Sequence, residues 1–343
     1  MCHPLLIIMI PALTVLAGVQ QSSTGPAPHA DADIVWKQAK DFFNSGKYSE
    51  AVFPLKRVVE RYPGYPGFTE SHFMLARSHM ELHEPQHALK PARYYVSALG
   101  KKPAGLRART LLAEIFLDLR KFNEARFTAT EIMVARDKAG KRLAPADLYA
   151  ESLLLKARAE MGLGRDDNAL LAIESAKKEI TGLTGDADTV ARADWLRGES
   201  AWIELTHKTR ECSRLPGKKR IDEGTARDRI GRRGDCLLEA SLVLRSSYET
   251  TANKFADLST KTMAEAAKSF LHACENPPDP AGSRTRLEIK RYKEELVQIL
   301  RQDCGTKMDK LREFLTQWKQ GASAMTAGRI DTFAKEIGST QSK

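Results

Sequence analysis

The chain has 343 residues, 42% of them hydrophobic and 29% charged, enough to bury a sizeable core in one elongated domain or two compact ones. That composition excludes a chain disordered throughout, while a formal charge of +10 favours acidic partners without naming one. Aromatic residues are few, at 7%, and β-branched runs are scarce beside Ala, Leu, Glu, Lys and Arg, so the expected fold class is all-α.

Segment 1–30 reads as a signal peptide and polar spacer. Pro4 to Val19 is almost wholly apolar and gives way to QQSSTGPAPHADA, and at about 15 residues the apolar run is short for a membrane span. Cleavage is expected after Ala17 or after Ala32. The stretch LAGV at 16–19 has the form of a lipoprotein box with Val19 in place of the lipidated cysteine, so a soluble exported protein is expected rather than a lipid-anchored one. No later stretch is apolar enough to span a membrane.

Residues 31–182 repeat. Aligned on the alanine of GKYSEA, Ala51 falls over Ala88, Ala125 and Ala169, at spacings of 37, 37 and 44 residues. Twelve residues earlier stands a second small residue in each unit, Ala39, Ala76, Ala113 and Ala157. Nine residues before the anchors stand Phe42, His79, Phe116 and Glu160, and seven after them Val58, Tyr95, Ile132 and Ala176. Each unit therefore reads as two amphipathic helices closed by a short polar turn, with the small pair allowing close approach.

The pattern resembles the tetratricopeptide repeat family, in which a small residue in the first helix is followed by a Gly-x-Tyr-x-x-Ala turn and a proline after the second helix. Gly46, Tyr48, Ala51 and Pro63 match it directly. Later turns depart from it, with His83 and Pro85, Arg120 and Phe122, or Gly164 and Asp166 at the first two positions. The RYPGYP ending and the export signal resemble the bacterial cell-envelope branch, found among outer-membrane assembly lipoproteins and Tol-Pal partner proteins. The implied fold is a helical-hairpin solenoid of about four repeats followed by a second helical region.

That region, 183–320, keeps helical spacing at Trp195, Ala201 and Trp202, breaks at Leu215-Pro216-Gly217, turns again near Thr251 to Asn253, and ends in a long charged helix from about Ser283 to Gln320. Residues 321–343 read as a short helix and tail. Four cysteines fall here, Cys212, Cys236, Cys274 and Cys304, and in an exported chain an even number favours disulfides. An antiparallel hairpin about the 251–253 turn would bring Cys236 level with Cys274, leaving Cys212 for Cys304. The alternative joins Cys212 to Cys236 across the basic loop. Zinc is disfavoured, because ligand spacing is wrong.

Motifs for catalysis or cofactor binding are not found: there is no phosphate-binding glycine loop, no Gly-x-Ser-x-Gly and no His-Glu-x-x-His. His72, His79, His83 and His87 fall on packing and turn positions rather than forming a metal set. Resemblance to the family places first helices on a concave face, which implies a groove lined by Trp36, Lys40 and Phe43, by Phe73, Arg77 and Met80, by Thr110, Glu114 and Leu117, and by Leu154, Arg158 and Met161. Such a strip suits an amphipathic or extended acidic segment, or else packs against the chain's own C-terminal helices.

A basic stretch, 208–233, holds Lys208, Arg210, Arg214, Lys218, Lys219, Arg220, Arg227, Arg229, Arg232 and Arg233 against Glu211, Asp222, Glu223 and Asp228. It reads as a solvated face, or as a contact for acidic polymers or lipid head groups. Without interleaved aromatics it does not suit nucleic acid. The function expected is non-enzymatic: a periplasmic or otherwise exported bacterial protein that binds a protein partner in its groove. The alternative is an accessory subunit of an envelope enzyme, for example one acting on peptidoglycan.

Overall fold

The computed structural model describes residues 30–100, 102–214, 220–221, 223–250, 253–280 and 284–338. The expected signal segment lies outside them except for Ala30. Among the described residues the chain is helical almost throughout. It runs α1 (Ala30–Asn44), α2 (Tyr48–Arg61), α3 (Phe68–Glu81), α4 (Pro85–Leu99), α5 (Pro103–Asp118), α6 (Phe122–Val134), α7 (Ala146–Gly162), α8 (Asp166–Thr181), α9 (Ala187–Arg214), α10 (Glu223–Tyr248), α11 (Asn253–Glu275), α12 (Arg286–Gln320) and α13 (Ala324–Gly338). One short parallel pairing joins β1 (Arg220–Ile221) to β2 (Asp279–Pro280). No described helix is long and apolar enough to cross a membrane.

The first eight helices form four hairpins, and the four turns share one conformation. Five residues before each anchor alanine the backbone turns left-handed, at Gly46 (φ 71°), His83 (59°), Arg120 (56°) and Gly164 (72°). The next N–H, from Lys47, Glu84, Lys121 or Arg165, donates to the carbonyl five residues back at 2.9, 2.8, 2.8 and 2.9 Å. This closes each first helix by satisfying a carbonyl that would otherwise face solvent alone.

Burial follows the same register. Ala39, Ala76, Ala113 and Ala157, and their counterparts Ala51, Ala88, Ala125 and Ala169, are all fully buried. Small side chains are needed there because the two helices of a hairpin meet at those points. Where three units carry a ring at the next position, the fourth carries Glu160, buried and flanked by Arg126 at 3.9 Å and Arg165 at 3.7 Å. An ion pair thus replaces packed aromatic volume.

Alternation of layers continues through α13. Odd-numbered helices pack on the next odd-numbered helix from α1 through α13, and each even-numbered helix bridges the odd helices on either side. The largest apolar cluster lies in the C-terminal half, where α10, α11, α12 and α13 surround Leu244, Tyr248, Met263, Leu300, Met308 and Phe333. α12 is long enough, at 35 residues, to lie along both α10 and α11, and it starts at a capping box in which Thr285 N–H donates to Glu288 Oε2 at 2.7 Å. α13 is held by the buried Arg329, which donates to the carbonyls of Tyr248 (2.7 Å) and Thr250 (3.0 Å).

The cysteine pairing corrects the first expectation. Cys212 is joined to Cys236 and Cys274 to Cys304, with Cα separations of 5.4 and 6.5 Å. Neither Cys236–Cys274 nor Cys212–Cys304 forms. Counting residues from the 251–253 turn set the heights of Cys236 and Cys274 but not the sides of the helices they occupy. Cys236 faces α9, its Sγ 3.9 Å from the Lys208 carbonyl oxygen, whereas Cys274 faces α12. Each bond therefore staples one hairpin. Two such pairs point to an oxidising compartment outside the cytosol.

Candidate functional site

The positions fifteen, eleven and eight residues before each anchor lie on one face of the first helices, because steps of four and three keep side chains in line on a helix. On α1 these are Trp36, Lys40 and Phe43, and on α3 Phe73, Arg77 and Met80, all half-buried. Trp36 meets Tyr65 edge-on at 6.3 Å and carries the Lys40 ammonium 5.5 Å above its ring. It also lies on Gly67, where a Cβ would come within 2.8 Å of the indole, so only glycine permits this approach. Phe43 touches Phe73 at 6.4 Å and Tyr48 at 5.6 Å, and Phe73 touches Tyr95 at 5.3 Å. The structure thus brings the α1 and α3 rings into one partly exposed aromatic strip.

Farther along, the row changes character. Arg77 reaches across to Glu114 on α5 at 3.3 Å, and Arg158 on α7 reaches Glu199 on α9 at 3.6 Å. Leu117, Leu154 and Met161 are buried, which corrects their assignment to an open groove. Leu154 and Met161 share a cluster with Leu196 and Ile203 of α9, and Leu117 with Leu155 and Ala159 of α7. Adjacent first helices close on each other there and leave the apolar positions no outlet.

Sequence reading missed the fifth row. Trp195, Glu199 and Trp202 on α9 repeat the apolar, charged, apolar spacing of α1, α3 and α7. Arg158 lies 5.4 Å over the Trp202 ring, Arg192 4.6 Å over Trp195, and Phe255 of α11 packs against both indoles at 4.9 and 6.1 Å. The signal was the Trp-x-x-x-Glu-x-x-Trp spacing. It went unused because α9 runs 28 residues without the turn that marks an anchor.

Electrostatics concentrate at this junction. Glu199 is 2% exposed, and burial pushes its carboxyl up to about 8 against the opposing pull of Arg158. Its Oε2 accepts no hydrogen bond. Glu151 is likewise raised by burial, although Arg192 lies 2.6 Å away. Arg158 faces Glu199, and Arg192 faces both Glu151 and Asp147, so these contacts join α9 to α7.

Other predicted features pack locally. His72 stacks on Tyr94 at 4.0 Å, and His79 lies 2.8 Å from Glu84 and 5.4 Å from the His87 ring. Desolvation lowers both His72 and His79, keeping them neutral at pH 7. Much of the basic stretch is answered by residues remote in sequence. Lys208 pairs with Glu239 at 2.8 Å, Arg227 with Asp303 at 2.6 Å, and Arg210 donates to the Met161 carbonyl at 3.1 Å. Arg232 pairs with Asp228, and Arg233 donates to Ser269 at 3.1 Å. Lys218, Lys219 and Asp222 lie outside the described residues.

Comparison of the chain with protein-family models, curated proteins and solved structures finds no match.

Proposed function

We propose that this is a non-enzymatic protein of the bacterial cell envelope, built as a tetratricopeptide-type solenoid, that holds a segment of a partner protein along the face of its odd-numbered helices. The observation that carries this reading is the aromatic strip of α1 and α3. There the row's rings stay partly exposed and Lys40 stands over Trp36, whereas Leu154 and Met161 on α7 are buried, and on α9 the half-buried Trp195 and Trp202 already pack against Phe255 and carry Arg192 and Arg158 over their rings. Half-exposed rings beside a cation suit the apolar side chains of an amphipathic segment that carries acidic residues. The shared turn conformation and the buried alanine pairs support the repeat assignment, and the two disulfides together with the apolar N-terminal stretch support export.

The test is capture from chemically cross-linked envelopes by the wild-type chain and by a Trp36→Ala/Phe73→Ala variant. Loss of specific capture with the melting temperature largely kept is expected. Each truncation should cost less than the about 3–5 kcal/mol of a fully buried ring. Undiminished capture by the variant would sink the proposal.

A further inference from the structure

The even-numbered helices present an outer face of their own. Two residues after the anchor alanine stand Phe53 on α2, Phe127 on α6 and Leu171 on α8, exposed by 76%, 65% and 68%. Single exposed apolar residues are ordinary, but three at one register position form a row. In the fourth helix of the layer, α4, that position is Lys90, also exposed.

Charge divides this row. The exposed charged residues of α4 are Lys90 and Arg93, both cationic, and those of α6 are Glu124 and Glu131, both anionic. On α2 exposed charges balance, Glu50 and Glu60 against Lys56 and Arg61. The central pair of helices is thus a plus stripe beside a minus stripe, with an apolar residue to either side. Local partners leave most of this pattern uncompensated: Glu131 lies 3.6 Å from Arg109, and Arg93 sits 5.8 Å over Phe116.

We infer that this outer face docks a second copy of the chain, related by a two-fold axis that runs between α4 and α6 and parallel to them. Successive second helices point the same way, so that axis lays α4 on the second copy's α6 with registers level. Lys90 then meets Phe127 of the second copy, a cation over a ring, with Glu124 and Glu131 one turn to either side. Arg93 reaches Glu131, and Phe53 meets Leu171 at the flanks. The alternative in-plane axis, across the helices, stacks α4 on α4 and sets like charges together. A two-fold contact demands a self-complementary patch, and only the first axis makes this patch so. The odd-helix face points away and stays free for its partner, so the two surfaces are tested separately.

Sedimentation equilibrium of the full oxidised chain at low salt should show a dimer that weakens as salt rises. Lys90→Glu/Arg93→Glu should raise the dimer dissociation constant about 100-fold, since facing like charges cost several kcal/mol. Adding Glu124→Lys/Glu131→Lys should tighten association again by about tenfold or more, because the facing charges are then unlike, although Lys90→Glu removes the cation over the Phe127 ring. Phe127→Asp should also dissociate the dimer while melting near the wild-type temperature. A chain monomeric at every concentration would overturn the inference. So would a dimer indifferent to these substitutions, or one that the fourfold reversal leaves as weak as the double variant.

Discussion

His83 and Arg120 hold the left-handed backbone that Gly46 and Gly164 adopt at the same point of their own turns. A side chain costs about 1–2 kcal/mol in that conformation, and glycine removes the clash that causes it. His83→Gly and Arg120→Gly are therefore expected to stabilise the fold by about 1 kcal/mol each, read from chemical denaturation midpoints; unchanged or lowered midpoints would count against a shared turn geometry. Glu199 gives a second expectation. Its carboxyl titrates at about 8 in the folded chain and near 4.5 when exposed. Protonation is favoured by folding, so the stability it contributes is fully present below pH 4.5 and is lost as pH rises through 8. Glu199→Gln should lose less melting temperature than wild type between pH 5 and pH 9, though some slope remains because Glu151 is shifted the same way. Equal slopes would mean that Glu199 ionises freely.

Elements show how far the sequence was legible and where it stopped. The alanine pairs marked the hairpin contacts correctly because no larger side chain fits where two helices touch, and all eight are fully buried. The weak turns were harder, since His83 and Arg120 carry no chemical trace of the backbone they adopt. The fifth row was hidden by the length of α9. The disulfides failed for a different reason: distance along a helix is readable from residue counts, but which side a cysteine faces depends on helix packing. Peptide mapping without reduction should find Cys212 linked to Cys236 and Cys274 to Cys304, each worth about 3–4 kcal/mol by loop closure. Recovery of a Cys236–Cys274 peptide would contradict the packing of α10 on α9 and of α11 on α12. At the start of α12, Thr285→Ala removes the capping box and should cost about 1 kcal/mol.

At the scale of the whole molecule, the alternation of odd and even helices makes two surfaces, one from each layer. Stability in such a row is a sum of neighbour contacts, so each hairpin can vary its exposed positions without disturbing the next. The odd face has used that freedom unevenly. From α5 onward its charges are paired across helices, Leu117, Leu154 and Met161 are buried, and the half-buried Trp195 and Trp202 pack on Phe255, while on α1 and α3 the rings of Trp36, Phe43 and Phe73 remain partly open. The most direct measurement places a photoreactive amino acid at Lys40, or at Lys56 on the opposite face, and irradiates living cells. The account predicts an adduct with one discrete partner protein from Lys40 and none with that protein from Lys56. Adducts with that partner from Lys56 alone, or none from Lys40, would contradict it.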